Sequence, residues 1–205
     1  MTRSLLSLLV LAGLAGAAAA QPARPAKVGD VHVYTTEQRA DRARFDETVT
    51  ISAIADGRIR TTHVRSDRPA PMEGLYGTDW ATFKSGSSGS VLEPGSKVLE
   101  HPMEVGKSWE ASYQLLTPNG AKSRLKMEST VAAREKIGTP AGEFDAFRID
   151  SKGYISGLSW QGGFGILQKV WYAPAIDRVV RTEYREQRTM GADNVTELKQ
   201  FKPAD

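Results

Sequence analysis

The sequence predicts an all-β protein, built as a strongly curved antiparallel sheet, an open barrel or a sandwich, with little helix after an N-terminal signal peptide. Between residues 29 and 202 the apolar residues recur mostly at every second position, which is the period of a pleated strand. Stretches with the i, i+3, i+4 spacing of a helix are few and short. Groups of Gly, Pro, Asn, Asp and Ser interrupt the pattern regularly, which favours hairpins over βαβ units.

The first 20 residues have the order of a secretory signal. Arg3 is the only charge before an apolar run that ends in three alanines at Ala20. A retained membrane anchor is the alternative, but spanning needs about 20 apolar residues, and this run is shorter and followed by Pro22 and Pro25. We therefore expect cleavage near Ala20 and a periplasmic or secreted location. The 205 residues contain no cysteine, which excludes disulfides, thiolate metal sites and acylation on a cysteine.

Residues 21–205 have a length that suits a single antiparallel β-rich domain. The formal net charge of the whole sequence is only +3, and the charges are spread along it. The densest basic group, Arg39, Arg42 and Arg44, is interrupted by Asp41 and followed by acidic residues. Since nucleic-acid binding needs an unbroken basic stripe, we expect no nucleic-acid partner. There is also no polybasic segment for an anionic membrane, and no integral membrane segment is expected in the mature chain.

The clearest predicted hairpin joins residues 48–55 to residues 58–65 through Asp56 and Gly57, because Asp-Gly accepts the positive φ angles of a two-residue I′ turn. That turn pairs Ile54 with Ile59, and further back it pairs Val49 with Val64. The segment before this hairpin, residues 36–45, is equally compatible with a short helix and with a hairpin tip.

A second hairpin joins residues 109–117 to residues 121–133. A two-residue loop would place Tyr113 opposite Lys126, whereas a three-residue Pro-Asn-Gly loop places it opposite Leu125. The longer loop therefore fits, with Gly120 in the left-handed bulge position. Turn signals delimit further predicted strands at residues 28–35, 75–84, 91–101, 144–155, 166–173, 178–188 and 195–202.

No catalytic, metal or cofactor motif is present in the sequence. His32, His63 and His101 fall in different predicted strands, without the spacing that fixes two metal ligands on one element. The SGSSGS segment has the composition of a solvent-exposed flexible loop, and no GxSxG motif occurs. Carboxylates such as Glu143 and Asp145 alternate as on the wet face of a sheet. We therefore expect no cofactor and no enzymatic activity.

The glycine-rich segment 157–165 carries two aromatic residues that lie outside the predicted strands. Trp160 and Phe164 stand among glycines, so they are candidates for contact with a ligand or partner. The alternative is that the two rings fold back and plug the end of a barrel or sandwich, since large aromatic side chains are usually mostly buried.

Three segments carry a resemblance to a known group of proteins: PMEVGKSW at residues 102–109, TPAGEFDAF at 139–147 and VWYAP at 170–174. Over residues 102–186 the chain resembles a family of uncharacterised exported β-rich bacterial proteins with a domain of unknown function. The resemblance implies a curved antiparallel sheet in the cell envelope and supplies no catalytic residues. A weaker similarity of pattern, without shared motifs, is to envelope lipoprotein carriers whose half-open barrels hold acyl chains.

Three functional hypotheses follow. The favoured one is a non-catalytic exported binding or assembly module of the bacterial cell envelope, acting through a concave sheet face or the Trp160 loop. The second is a periplasmic carrier of a lipid or other apolar ligand in a half-open β-barrel, and the third is a hydrolase whose site the spacing does not reveal. The candidate ligand-binding residues are Trp160, Phe164, Trp109, Tyr113 and Trp171. A carrier cavity would be lined by Trp109, Tyr113, Leu125, Met127, Phe147 and Trp171.

Overall fold

A computed structural model describes residues 24–205, so the expected signal peptide at residues 1–20 lies outside the described residues. The described chain forms twelve antiparallel strands. They are β1 (Val31–Gln38), β2 (Arg44–Ala55), β3 (Arg58–Arg65), β4 (Arg68–Gly77), β5 (Thr82–Lys84), β6 (Val91–Ser96), β7 (Ser108–Leu116), β8 (Lys122–Thr139), β9 (Gly142–Gly157), β10 (Gly163–Ala173), β11 (Arg178–Gln187) and β12 (Asp193–Lys202). One 3-10 turn, Pro174–Ile176, separates β10 from β11.

The strands close into a barrel in which every strand pairs with its neighbours along the chain, and β1 pairs with both β2 and β12. The predicted all-β antiparallel class is confirmed. Of the predicted architectures, the barrel is the one that the chain forms, and it is closed where an open one was predicted. Within residues 24–205 no helix has the length and apolar character needed to span a bilayer.

Successive strands run in opposite directions, so the barrel has two rims. We call the upper rim the end that carries the β1–β2, β3–β4, β5–β6, β7–β8, β9–β10 and β11–β12 connections. The lower rim carries the other connections, together with residue 24 and the C-terminus. The lower rim is filled by Trp80 from the β4–β5 turn and Leu99 from the β6–β7 connection, both of which are buried.

The two predicted hairpins differ in how well their register was anticipated. The Pro-Asn-Gly loop is confirmed: Tyr113 pairs with Leu125, and Gly120 has a φ of 84°. The Asp56-Gly57 turn is also confirmed, and Ile54 pairs with Ile59. The expected pairing of Val49 with Val64 is wrong, because a bulge between Ile51 and Ala53 shifts the register by one residue, so that Val49 faces His63.

Other boundaries follow from turns that the pattern did not reveal. Residues 36–45 form a hairpin tip and not a helix. The predicted strand 75–84 is two strands, since Trp80 adopts a left-handed φ of 62° and the backbone turns there. The strand predicted at residues 91–101 ends at Ser96, after which the chain crosses the lower rim.

The interior is packed with side chains from alternate strand positions. On β8 the burial alternates strictly from Lys122 to Glu128, with the even-numbered residues exposed and the odd-numbered ones buried. Leu125 and Met127 belong to an upper cluster with Ile155 and Ile166. A lower cluster contains Ile51, Ile59, Trp80, Leu99, Val131, Ile149, Val170 and Tyr172. Met127 packs directly on the backbone of Gly153, where an added Cβ would lie 2.3 Å from the Met127 Sδ and 2.5 Å from the Lys126 carbonyl oxygen.

We expect Gly153→Ala to destabilise the barrel by about 1–3 kcal/mol, because the new methyl group overlaps both a packed side chain and a backbone oxygen. Gly138→Ala is the matched control, since a Cβ at Gly138, also within a strand, meets nothing within 4 Å. Chemical denaturation of both variants measures the difference. Equal midpoints would contradict the tight packing described at Gly153.

Candidate functional site

Three of the five candidate ligand-binding residues come together at the upper rim. The Trp160 and Phe164 rings stack with their centroids 6.2 Å apart, and both pack with Tyr113 against the upper cluster. The Trp160 indole donates a hydrogen bond of 3.0 Å to the Ser123 hydroxyl, and the Arg188 guanidinium lies 4.0 Å from the Phe164 ring centre. Burial raises the pKa of Tyr113 to about 12. The rings therefore cover this end of the core, with part of their surface left to solvent.

The other two candidates lie elsewhere. Trp109 packs against the lower cluster and donates a hydrogen bond of 3.1 Å to the Lys97 carbonyl. Trp171 belongs to a third cluster with Ala146, Ala173, Val180 and Leu198, and its indole donates to Glu135 at 2.8 Å. The residues expected to line one carrier cavity are thus divided among three separate clusters.

The outer face of β7–β11 forms a cleft of about 930 Å³. We call it the outer cleft. Two rows of side chains cross it in register from strand to strand. The first row is Glu110, Glu128, Lys152, Leu167 and Arg185, and the second is Ser108, Thr130, Asp150, Lys169 and Glu183. Trp109 contributes to the lining, and so does Arg39 from the β1–β2 turn.

Charge in the outer cleft is balanced and unevenly distributed. The first row is acidic on β7 and β8 and basic on β9 and β11. Lys152 pairs with Glu128 at 3.0 Å, and Arg39 pairs with Glu183 at 3.3 Å. Lys169, by contrast, makes no ion pair with any residue in the described part of the chain. The cleft can therefore contact a ligand that carries both signs of charge.

Several polar side chains lie close together inside the barrel beside β1–β4. We call Glu47, Thr61, His63 and Tyr76 the interior network. The Thr61 hydroxyl is 2.8 Å and the Tyr76 hydroxyl 3.3 Å from Nε2 of His63. Nδ1 of the same ring is 3.3 Å from the Glu47 carboxylate. The β5–β6 loop closes over this ring, since a Cβ on Gly86 would lie 2.0 Å from it. The imidazole is thus fixed on all sides by neighbours.

His32 lies in the same interior and is only 1% exposed. Its ring stacks on Phe201 at 4.7 Å, and neither ring nitrogen has a hydrogen-bond partner among residues 24–205. Burial, reinforced by the cations Arg178 and Arg24 against the opposing charge of Asp30, lowers the pKa of His32 to about 3. The folded protein therefore holds this imidazole neutral at any ordinary pH.

The sequence did not anticipate the interior network, since it placed the histidines on scattered strand faces. His32 and His63 both face the interior and share Val49 as register partner, whereas His101 is exposed. The SGSSGS segment also differs from the expected solvent loop, because Ser90 is buried and Gly86 covers His63. No group of three or more His, Asp or Glu side chains in the described part of the chain is arranged to hold a metal ion.

Three solved structures are similar to the barrel. A protein named as a lipoprotein from Parabacteroides distasonis has a TM-score of 0.57 and 13% identity, covering 87% of this chain and 97% of that one. A protein from Bacteroides fragilis, named as an exported protein with a YmcC-like fold, has a TM-score of 0.61 and 12% identity, covering 89% of this chain and 100% of that one. YmcC from Escherichia coli, named as a lipoprotein, has a TM-score of 0.51 and 10% identity, covering 88% and 87%.

These likenesses show a shared fold. No protein-family model matches the chain, and no curated protein matches it in sequence. The curved antiparallel sheet that the resemblance implied is thus shared with these solved structures over 87–89% of this chain.

The buried neutral His32 makes stability depend on pH. In the unfolded chain a histidine has a pKa near 6.5. Below that pH the unfolded state binds a proton at His32 and the folded state does not, so the free energy of unfolding decreases as the pH falls toward 3. Between pH 7 and pH 5 we expect His32 to lower the free energy of unfolding by about 2 kcal/mol. Asp30 has a pKa of about 2 in the fold, so its contribution to stability is lost only below about pH 4. It therefore does not change the stability between pH 7 and pH 5.

Denaturant midpoints at the two pH values measure this effect. His32→Leu removes the titrating group without breaking a hydrogen bond and should flatten the difference, whereas the exposed control His101→Leu should retain it. An unchanged pH difference in His32→Leu would rule out the assignment.

Proposed function

We propose that this protein is a non-catalytic binding or assembly module of the bacterial cell envelope that binds a polypeptide partner in the outer cleft. The observation that carries the proposal is the cleft itself. It has about 930 Å³ of space, within the range of ligand sites, and its two in-register rows present both signs of charge.

The chemistry of the lining favours a polypeptide over an apolar small molecule. The floor crosses five strands, which at a strand spacing of about 4.8 Å is roughly 19 Å, the length of an extended segment of about six residues. Leu167 is exposed within it and supplies an apolar contact between charged neighbours. Peptide segments combine apolar side chains with charges of either sign, so they complement such a surface.

The envelope location rests on two supports. The N-terminal 20 residues have the order of an export signal. The solved proteins with this fold are themselves named as exported proteins or lipoproteins. The non-catalytic assignment accords with the polar residues of the barrel, since the interior network is covered by the β5–β6 loop and the outer cleft holds paired charges.

We expect a photo-crosslinking residue placed at Leu167 to give a discrete protein adduct in intact producing cells of the native host. The same residue at Val105, exposed on the lower-rim connection, is the control and should give none. In a second variant Lys169→Glu is combined with the photo-crosslinking residue at Leu167, which reverses an unpaired charge in the cleft. The yield of the adduct should fall at least threefold. Equal labelling at the two positions, or labelling insensitive to the charge reversal, would exclude the cleft as the binding site.

The carrier hypothesis makes a different prediction, since it needs space inside the barrel. The interior is filled at Gly153 by Met127 and at Gly86 by His63. We therefore expect native mass spectrometry of the protein purified from the envelope to give the mass of the polypeptide alone. An added mass in the range of a lipid, released on unfolding, would favour the carrier.

A further inference from the structure

The outer face of β8 near the upper rim carries three cations in a row. Lys122, Arg124 and Lys126 occupy alternate positions, and all three are exposed. We call them the basic edge. None of them makes an ion pair with any residue between 24 and 205. Like charges spaced along one strand face repel each other, so the three charges do not stabilise the barrel through ion pairs.

The register partners of the basic edge include no carboxylate. Its partners across β7 are Ser112, Gln114 and Leu116, and across β9 they are Tyr154 and Ser156. The nearest acidic positions are Glu128, which lies two residues along β8 from Lys126 and is already paired with Lys152, and Glu110, which is the diagonal neighbour of Lys126 across β7. Both lie at the end of the basic edge where the outer cleft begins. The next carboxylate is Glu93, which pairs with Gln114 one strand further away. Glu93 is thus about 10 Å from Arg124, beyond the screening length of about 8 Å at physiological salt.

Exposed apolar side chains flank both ends of the basic edge. Leu116 is the register partner of Lys122, and Leu158 is held beside it by a backbone hydrogen bond of 2.9 Å to the Lys122 carbonyl. Tyr154 is the partner of Lys126 at the other end. These three residues are 39%, 45% and 53% exposed. Met190, in the β11–β12 connection of the same rim, is 97% exposed.

We propose that this part of the upper rim docks on the surface of an anionic lipid bilayer. Cations beside exposed Leu and Tyr side chains, with Met190 exposed elsewhere on the same rim, match the two layers of a membrane surface, because the cations meet the phosphates and the apolar tips enter the acyl boundary. An acidic soluble partner would satisfy the cations but would leave no role for the apolar residues at the rim. A bilayer takes up both groups together.

The basic edge and the outer cleft are distinct surfaces on adjoining parts of the same strands. On β8 the sign of the charge changes between Lys126 and Glu128, where the cleft begins. Docking of the rim would hold the cleft close to the membrane surface. This inference goes beyond the proposed binding function and does not depend on it.

Vesicle sedimentation with the protein purified after export tests the inference. The vesicles are equimolar phosphatidylglycerol and phosphatidylcholine, compared with phosphatidylcholine alone. We expect binding to the anionic vesicles only, weakened by 0.5 M salt. Since a cation near an anionic surface contributes about fivefold to the partition coefficient, the triple variant Lys122→Gln, Arg124→Gln, Lys126→Gln should bind at least tenfold more weakly. Leu158→Ser should lower binding about threefold.

A matched variant changes the same charge at the other rim: Lys27→Gln, Arg60→Gln, Lys202→Gln, all at exposed positions. It should bind within twofold of the unchanged protein, and circular dichroism verifies folding of every variant. Failure of the unchanged protein to bind, or an equal loss in the two triple variants, would overturn the proposal. So would binding to soluble polyphosphate that equals vesicle binding and is unaffected by Leu158→Ser, since that result indicates a soluble polyanion.

Discussion

Pairing of β1 with β12 is the constraint on which the rest of this structure depends. It gives each of the twelve strands a neighbour on both sides, so that the sheet has no edge strand. It also gives the sheet one enclosed face and one outer face. Every odd-numbered residue of β8 from Ser123 to Val131 then contributes to a common interior, and the alternate residues are left to determine what the protein can contact.

Local irregularities decide which residues enter that interior. The bulge between Ile51 and Ala53 shifts the part of β2 before it by one residue relative to β3. As a result His63 lies opposite Val49. A second bulge, between Val131 and Ala133, shifts the lower half of β8 by one residue relative to β9, near the residues of the third apolar cluster. The interior beside β1–β4 therefore contains both apolar residues of the lower cluster, such as Ile51 and Ile59, and the buried polar side chains around His63.

The outer face is organised by the same alternation. Two rows of charged and polar residues form the outer cleft over β7–β11, and the row of cations near the upper rim lies on the same face of β8. A cation and a carboxylate two residues apart on one strand thus belong to surfaces with different chemistry. Such a division needs no dedicated domain, because the register of neighbouring strands aligns the side chains across the sheet.

The sequence predicted the elements whose information is local. Period-two patterning identified most strands, Asp-Gly identified the β2–β3 turn, and the hydrophobic match of Tyr113 with Leu125 selected the three-residue loop of the β7–β8 hairpin. For the candidate site the outcome is divided. Tyr113, Trp160 and Phe164 share one cluster. Trp109 lies on the same face of β7 as Tyr113 but nearer the lower rim, and it packs in the lower cluster. Trp171 lies at a register shift between β10 and β11 and packs in the third cluster, and such a shift leaves no signature in the composition of a strand.

By itself, then, the sequence determined the class of the fold and the turns, because alternation and turn chemistry act over a few neighbouring residues. Only the tertiary structure decided that the sheet closes, that His32 and His63 face one interior, and that the outward residues of five strands form one cleft. These features depend on the pairing of segments up to about 170 residues apart, as in β1 with β12, and no short stretch of the chain records that pairing.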